Sequence, residues 1–144
     1  MRLTQFTDLG VRVMMYVSKK EATEATTITE LSKKFDTSRN HLVKVVQFLS
    51  NNGLLNARRG RGGGLTLNAH PSEIRIGHLI YLLEQTDCVI NCEDRKCVLR
   101  SGCLLKSALS GAYRAFIDYL DQYTLEDVTG GKTGLLLQKM LISV

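Results

Sequence analysis

Apolar positions recur at intervals of three and four near the start of the chain. Leu9, Val13, Tyr16 and Val17 share one face, which predicts a helix over residues 4–18 with Thr4 or Thr7 as its cap. A polar run, 19–26, ends that pattern. Thr27-Ile28-Thr29-Glu30 then has the capping-box form, so a short second helix starts there, buries Ile28, Leu31 and Phe35, and stops near Asp36. After a turn of about three residues, Ser38 is placed to cap a third helix that reaches Asn52, closed by Gly53 in the position favoured for a left-handed C-terminus. Leu42, Val45, Val46 and Leu49 form its core-facing stripe, while Asn40, Lys44, Gln47 and Asn51 form a second stripe that is polar throughout.

The period then changes. Residues 54–57 and 65–67 read as two short strands around Arg58-Arg59-Gly60-Arg61-Gly62-Gly63-Gly64, where four glycines let the backbone turn and three arginines decorate the tip. Pro71 marks the exit, and 76–84 reads as a fourth helix. Residues 85–103 show no sustained period and read as a loop. A helix of about 20 residues follows, from Cys103 or Leu104 to Tyr123, with Leu105, Leu109, Ala112, Phe116, Leu120 and Tyr123 in one apolar stripe. A helix this long outside the N-terminal unit needs a surface to bury that face, and its counterpart in a second subunit is the simplest one. From Thr129 the pattern fades, with a final helical turn or two expected within 135–142. There is no internal repeat. The fold class expected is mainly α: a winged helix-turn-helix with a two-stranded wing plus a long C-terminal dimerisation helix, divided as 1–84, 85–103 and 104–144.

Composition sharpens this division. The 144 residues carry 44% hydrophobic and 23% charged side chains, ordinary values for one folded domain. The longest uncharged stretch, 45–57, is 13 residues and too short to span a bilayer, and residues 1–25 lack the apolar core of a signal peptide, so a cytoplasmic protein is expected. The net charge of +5 is uneven: residues 1–83 hold 12 Lys and Arg against 6 Asp and Glu, and the remainder holds 7 against 8. All four cysteines, at 88, 92, 97 and 103, fall in that near-neutral remainder.

Two helices joined by a tight turn, the second with a polar face, followed by a basic hairpin, point to double-stranded DNA. A helix fits the major groove, where Asn, Gln and Arg make paired hydrogen bonds to base edges, and the residues at its N-terminus reach deepest. Thr37, Ser38, Arg39, Asn40, His41 and Lys44 occupy that end, with Gln47 one turn on. Arg58, Arg59 and Arg61 suit the negative potential of a minor groove. Catalysis is not expected: His41, His70 and His78 are scattered, and Gly130-Gly131-Lys132-Thr133 lacks the leading glycine of a phosphate loop, with Glu126 in its place. Cys92, Cys97 and Cys103 put three thiols within 12 residues without a C-x2-C pair. That spacing leaves an iron–sulfur cluster, zinc and redox thiols all open.

These residues resemble a known family. The opening Met1-Arg2-Leu3-Thr4-Gln5-Phe6-Thr7-Asp8, the segment Ser38-Arg39-Asn40-His41-Leu42-Val43-Lys44, the wing Arg59-Gly60-x-Gly62-Gly63-Gly64 and the C-x4-C-x5-C spacing are similar to the Rrf2 family of bacterial regulators, over residues 1 to about 128. Within it the likeness is greatest to the nitric-oxide-sensing repressors. The resemblance implies a homodimer on a pseudo-palindromic operator, crossed by long dimerisation helices, with nitric oxide as the signal that releases DNA. It implies a 4Fe–4S cluster (2Fe–2S as the alternative) held by Cys92, Cys97 and Cys103, with the partner subunit's Asp8 as fourth ligand. The branch that regulates cluster assembly places a histidine three residues after the last cysteine; Lys106 stands there in this chain. Cys88 falls outside the pattern. A signal of redox state or iron supply is the alternative within the same family, and an iron–sulfur electron carrier or enzyme a remote one.

Overall fold

Thr4 stops the extended chain and starts helix α1 (Gln5–Val17): its side chain accepts the Thr7 N–H at 3.2 Å. In this computed structural model residues 2–20, 24–58, 60, 62–90, 92, 97–99 and 101–143 are described. Helix α1 buries Val13, Met14, Tyr16 and Val17 and lies between two others. One is α3 (Arg39–Asn51), which buries all four residues of its predicted stripe; the other is α4 (Ile76–Glu84). The short helix α2 (Ile28–Lys34) begins with the expected capping box, Thr27 and Glu30 each bonding the other's backbone N–H. Asp36, at φ 46°, ends it in the left-handed region, and Ser38 caps α3 by accepting the His41 N–H.

The wing is an antiparallel pair, β1 (Leu55–Arg58) on β2 (Gly64–Leu67), in register Leu55 opposite Leu67 and Arg58 opposite Gly64. Thr26 adds a third, one-residue partner, exchanging backbone hydrogen bonds with Leu65 at 3.0 and 2.7 Å. Gly64 is required there, because a Cβ would stand 2.7 Å from that of Ala25. Pro71 opens a single 3₁₀ turn (Pro71–Glu73) that leads to α4.

Helix α5 runs over Leu104–Leu120, three residues short of the expected end at Tyr123. The chain turns there because Tyr123 gives its carbonyl to the Ile76 N–H, and Thr124 then caps a short helix α6 (Leu125–Val128). Asp121, at the end of α5, accepts the His78 N–H at 2.8 Å and so caps α4, which has no side-chain cap of its own. Gly77 lets the two helices meet, since a Cβ there would lie 2.4 Å from the Ile117 carbonyl oxygen. The predicted apolar stripe divides between two environments. Phe116 and Leu120 pack on the chain's own core, whereas Leu105 and Tyr123 remain exposed.

The tail also departs from expectation. It forms a full 12-residue helix, α7 (Gly131–Ile142), in place of a turn or two. Leu137 is buried, Met140 and Leu141 pack against the main core, and Lys34 of α2 donates to the carbonyls of Met140 and Ser143. A lysine at a helix C-terminus satisfies carbonyls that the helix cannot pair. The core is thus one cluster from residue 13 to residue 125, with α7 closing over it.

Two stability outcomes follow from these contacts. Leu137→Ala is expected to cost about 2–4 kcal/mol in urea unfolding, the range for truncating a buried leucine. Glu30 accepts the Tyr16 hydroxyl at 2.7 Å and stands 2.7 Å from Lys20 Nζ. Burial alone would raise its pKa, but the bonds from Lys20, Tyr16 and the Thr27 backbone together hold it below the ordinary 4.5. Its ionised form therefore stabilises the fold fully above that value, and the contribution is lost as pH falls through the lowered one. Urea midpoints taken from about pH 6 to about pH 3 should fall less steeply for Glu30→Gln than for the unaltered chain.

Candidate nucleic-acid interface and cysteine segment

The turn between α2 and α3 is built by side chains that the sequence had placed among the DNA-reading set. Thr37 donates its hydroxyl to the Phe35 carbonyl at 3.0 Å, and Ser32 donates to the Thr37 carbonyl at 2.6 Å. Ser38 caps α3, and Arg39 reaches back to the Thr29 hydroxyl on α2. These groups fix the attitude of α3 against α2. Beyond them Asn40, His41, Lys44 and Gln47 are all exposed along one side of α3, opposite the buried Leu42, Val45 and Leu49. Arg58 is exposed at the end of β1; Arg59 and Arg61 lie outside the described residues. Gly60 and Gly62 adopt φ of 97° and 79°, so the tip bends where only glycine does so without strain. The resulting surface is a polar helix face beside a basic hairpin.

The cysteine segment has no helix or strand among its described residues, and none of them is buried. Gln85, at φ 53°, ends α4. Cys88 is then held by Thr86, whose hydroxyl accepts the Cys88 N–H at 3.3 Å, and Tyr113 of α5 donates to the Thr86 carbonyl at 3.0 Å. Tyr113 is the one buried residue of α5, and no local signal in the sequence distinguished it from the helix's other apolar positions. Cys92 and Cys103 are half-buried and Cys97 is exposed; all are free thiols. Cys103 is the N-cap residue of α5 with no side-chain bond to that helix end, where unpaired N–H groups favour negative charge.

Among the described residues no three His, Cys, Asp or Glu side chains gather closely enough to hold a metal ion. The donor set nonetheless fits an iron–sulfur cluster in its chemistry: three free thiols on a segment whose described residues are irregular and carry none of the core. Asp8 stands apart from them, exposed in the first turn of α1 and paired with Arg12 by two contacts of 3.0 and 3.1 Å. An exposed pair of this kind is worth about 0.2–1 kcal/mol, so a competing metal–carboxylate bond displaces it at small cost. Asp8 also lies on the rim of a groove of about 440 Å³ between α1 and α3, which it shares with Arg12, His41 and Lys44. That groove was not foreseen, because its two walls are more than 20 residues apart in sequence.

Helix-turn-helix, wing and long cysteine-led helix define a winged-helix regulator. Residues 3–131 match the sequence pattern of Rrf2, described as an iron-dependent transcriptional regulator, and the chain belongs to that family. Among solved structures it is similar to CymR, the global cysteine regulator of B. subtilis, at TM-score 0.69 and 23% identity over 89% of this chain and 95% of that one. The oxidized form of Staphylococcus aureus CymR aligns at TM-score 0.70 and 26% identity, covering 91% and 98%. IscR of T. potens aligns at TM-score 0.70 and 21% identity, covering 89% and 85%. Helix α7 begins at the last residue of the family match. Among the described residues no helix is long and apolar enough to cross a membrane.

Proposed function

We propose that the chain is a homodimeric repressor of the NsrR type, which binds operator DNA with its iron–sulfur cluster in place and releases it in response to nitric oxide. The observation that carries the DNA-binding reading is the exposed row Asn40, His41, Lys44 and Gln47 on α3, beside Arg58 of the wing. Asn40 and Gln47 have the donor–acceptor pair that recognises adenine in the major groove, and Lys44 and Arg39 are suited to guanine or phosphate. The wing, with Arg58 and the further arginines 59 and 61, suits the adjacent minor groove. The signal is what the resemblance to the nitric-oxide-sensing repressors implies, a resemblance carried by the C-x4-C-x5-C spacing, by Asp8 in the exposed first turn of α1, and by Lys106 where the assembly branch has histidine.

Cys92, Cys97 and Cys103 would hold the cluster, with the partner subunit's Asp8 completing it. When bound, a 4Fe–4S cluster supplies iron that reacts with nitric oxide; a 2Fe–2S centre would offer the same chemistry. Asp8 contributes the hardest donor among softer thiolates, hence the one most readily exchanged. Its release would return it to Arg12 and uncouple α1 of one subunit from the cysteine segment of the other. The dimer would form along α5, where Leu104, Leu105 and Tyr119 are exposed large side chains. The free thiol of Cys88, outside the C-x4-C-x5-C set, and the likeness to the oxidized form of CymR support redox state as the second candidate signal.

The test is operator affinity, using DNA selected from a random pool by anaerobically reconstituted protein. Reconstituted protein is expected to bind at least about tenfold more tightly than cluster-free protein, a difference of about 1.4 kcal/mol, and to lose that advantage with nitric oxide. Equal affinities would refute a cluster-dependent repressor, and a response to oxygen or chelator without one to nitric oxide would select the redox or iron reading. For Asp8→Ala, altered visible absorption of the cluster and a changed nitric oxide response are expected; an unchanged spectrum and response remove Asp8 from the ligand set.

A further inference from the structure

The peptide group between Gly53 and Leu54 joins α3 to the wing. Gly53 leaves the helix at φ 70°, a left-handed turn with no side chain to limit it. The Leu54 N–H is tied back to the Leu49 carbonyl at 2.9 Å. The Gly53 carbonyl, on the opposite edge of the same peptide, accepts from Asn68 Nδ2 at 2.8 Å. Asn68 stands just past the end of β2, seated there by its own N–H, which donates to the Leu54 carbonyl at 3.2 Å. Its Oδ1 accepts from Asn56 Nδ2 on β1 at 3.0 Å. Both ends of one side-chain amide thus link the exit of α3 to the wing. Alternation along β1 puts Asn56 and Arg58 on one face of the hairpin, with Leu55 buried on the other.

We infer that Asn68 is a positioning residue for DNA binding: through Gly53 and Asn56 it fixes the angle between α3 and the wing. Arg58 then reaches a minor groove while Asn40, Lys44 and Gln47 occupy the adjacent major one. The inference rests on the reading that α3 and the wing bind DNA together. Buried Leu55 and Leu65 hold the wing at its base, and Thr26 pairs its β2 edge. Neither contact ties the exposed face of the hairpin to α3. Among the described residues, the side-chain hydrogen bonds that do so are the two made by Asn68. Both are open to solvent, where water replaces them on unfolding, so they add little to global stability. What they restrict is orientation. Two grooves of one duplex can be entered at once only from a fixed angle, because a wing that swings away takes its arginines out of reach.

A double-substitution cycle on the full, cluster-loaded chain tests this, using DNA selected by the unaltered protein. Asn68→Ala should lower operator affinity about three- to tenfold and leave the urea midpoint unchanged. Arg58→Ala, Arg59→Ala and Arg61→Ala together should lower it at least as much. Added to that triple variant, Asn68→Ala should cost less than about twofold, because no wing arginine is left to position. An equal loss in both backgrounds, or no loss in the unaltered one, overturns the inference. Dimethyl sulfate gives a second readout, since adenine N3 lies in the minor groove and guanine N7 in the major. At saturating protein, Asn68→Ala should lose protection of flanking adenines and keep protection of the guanines under α3. Loss of both protections, or of neither, overturns the positioning role. Failure of the underlying reading looks different: if the unaltered protein enriches no sequence, or the triple variant binds as tightly as the unaltered chain, the DNA contact itself falls and the inference with it.

Discussion

The spacing of α1 from its neighbours governs how the other elements stand. Gly10 sits against Leu83 of α4 so closely that a Cβ would come within 2.6 Å of that side chain, so Leu83 packs directly on the backbone of α1. On its other side α1 meets α3 through Phe6 and Phe48, edge to face at 5.4 Å, and through the buried Val45. At its C-terminal end Tyr16 reaches Glu30 of α2. One helix thus positions the reading helix, the first helix of the turn and the scaffold that carries α5. A well-packed interior transmits a displacement of such a hub because it has no free volume in which to absorb it.

That arrangement puts the surface that carries Asp8 and the support of α3 on one helix, without a separate linker. Asp8 and Arg12 lie on the exposed side of the same helix whose buried side supports α3. Helix α5 is joined to α4 by Gly77 and by the bond from His78 to Asp121, so α5 and α1 are both fixed to α4. Helix α7 returns to α2 through Lys34, which ties the far end of the chain to the helix-turn-helix.

The elements that local chemistry specifies were legible in the sequence. Thr4, the Thr27–Glu30 box, Ser38 and Gly53 all occupy the cap positions their residue types favour, and the stripe of Leu42, Val45, Val46 and Leu49 is buried as its spacing requires. Features that depend on distant partners were not. The turn after Leu120 exists to pair Tyr123 with Ile76, nearly fifty residues away, and α7 begins at two glycines with no side-chain cap and is held by a lysine in α2. The polar face of α3 could be read from periodicity, whereas the bond by which Thr37 also holds the turn, to the Phe35 carbonyl, could not. The groove on which Asp8 sits was invisible for the same reason as the turn: its walls meet only in the folded chain.

The cysteine segment, in which no described residue is buried, is anchored at one end by Thr86 and Tyr113 and at the other by the start of α5. Substitutions at the described residues between those anchors therefore put no core packing at risk. The chemistry of those positions can change while the winged-helix scaffold beneath keeps its packing.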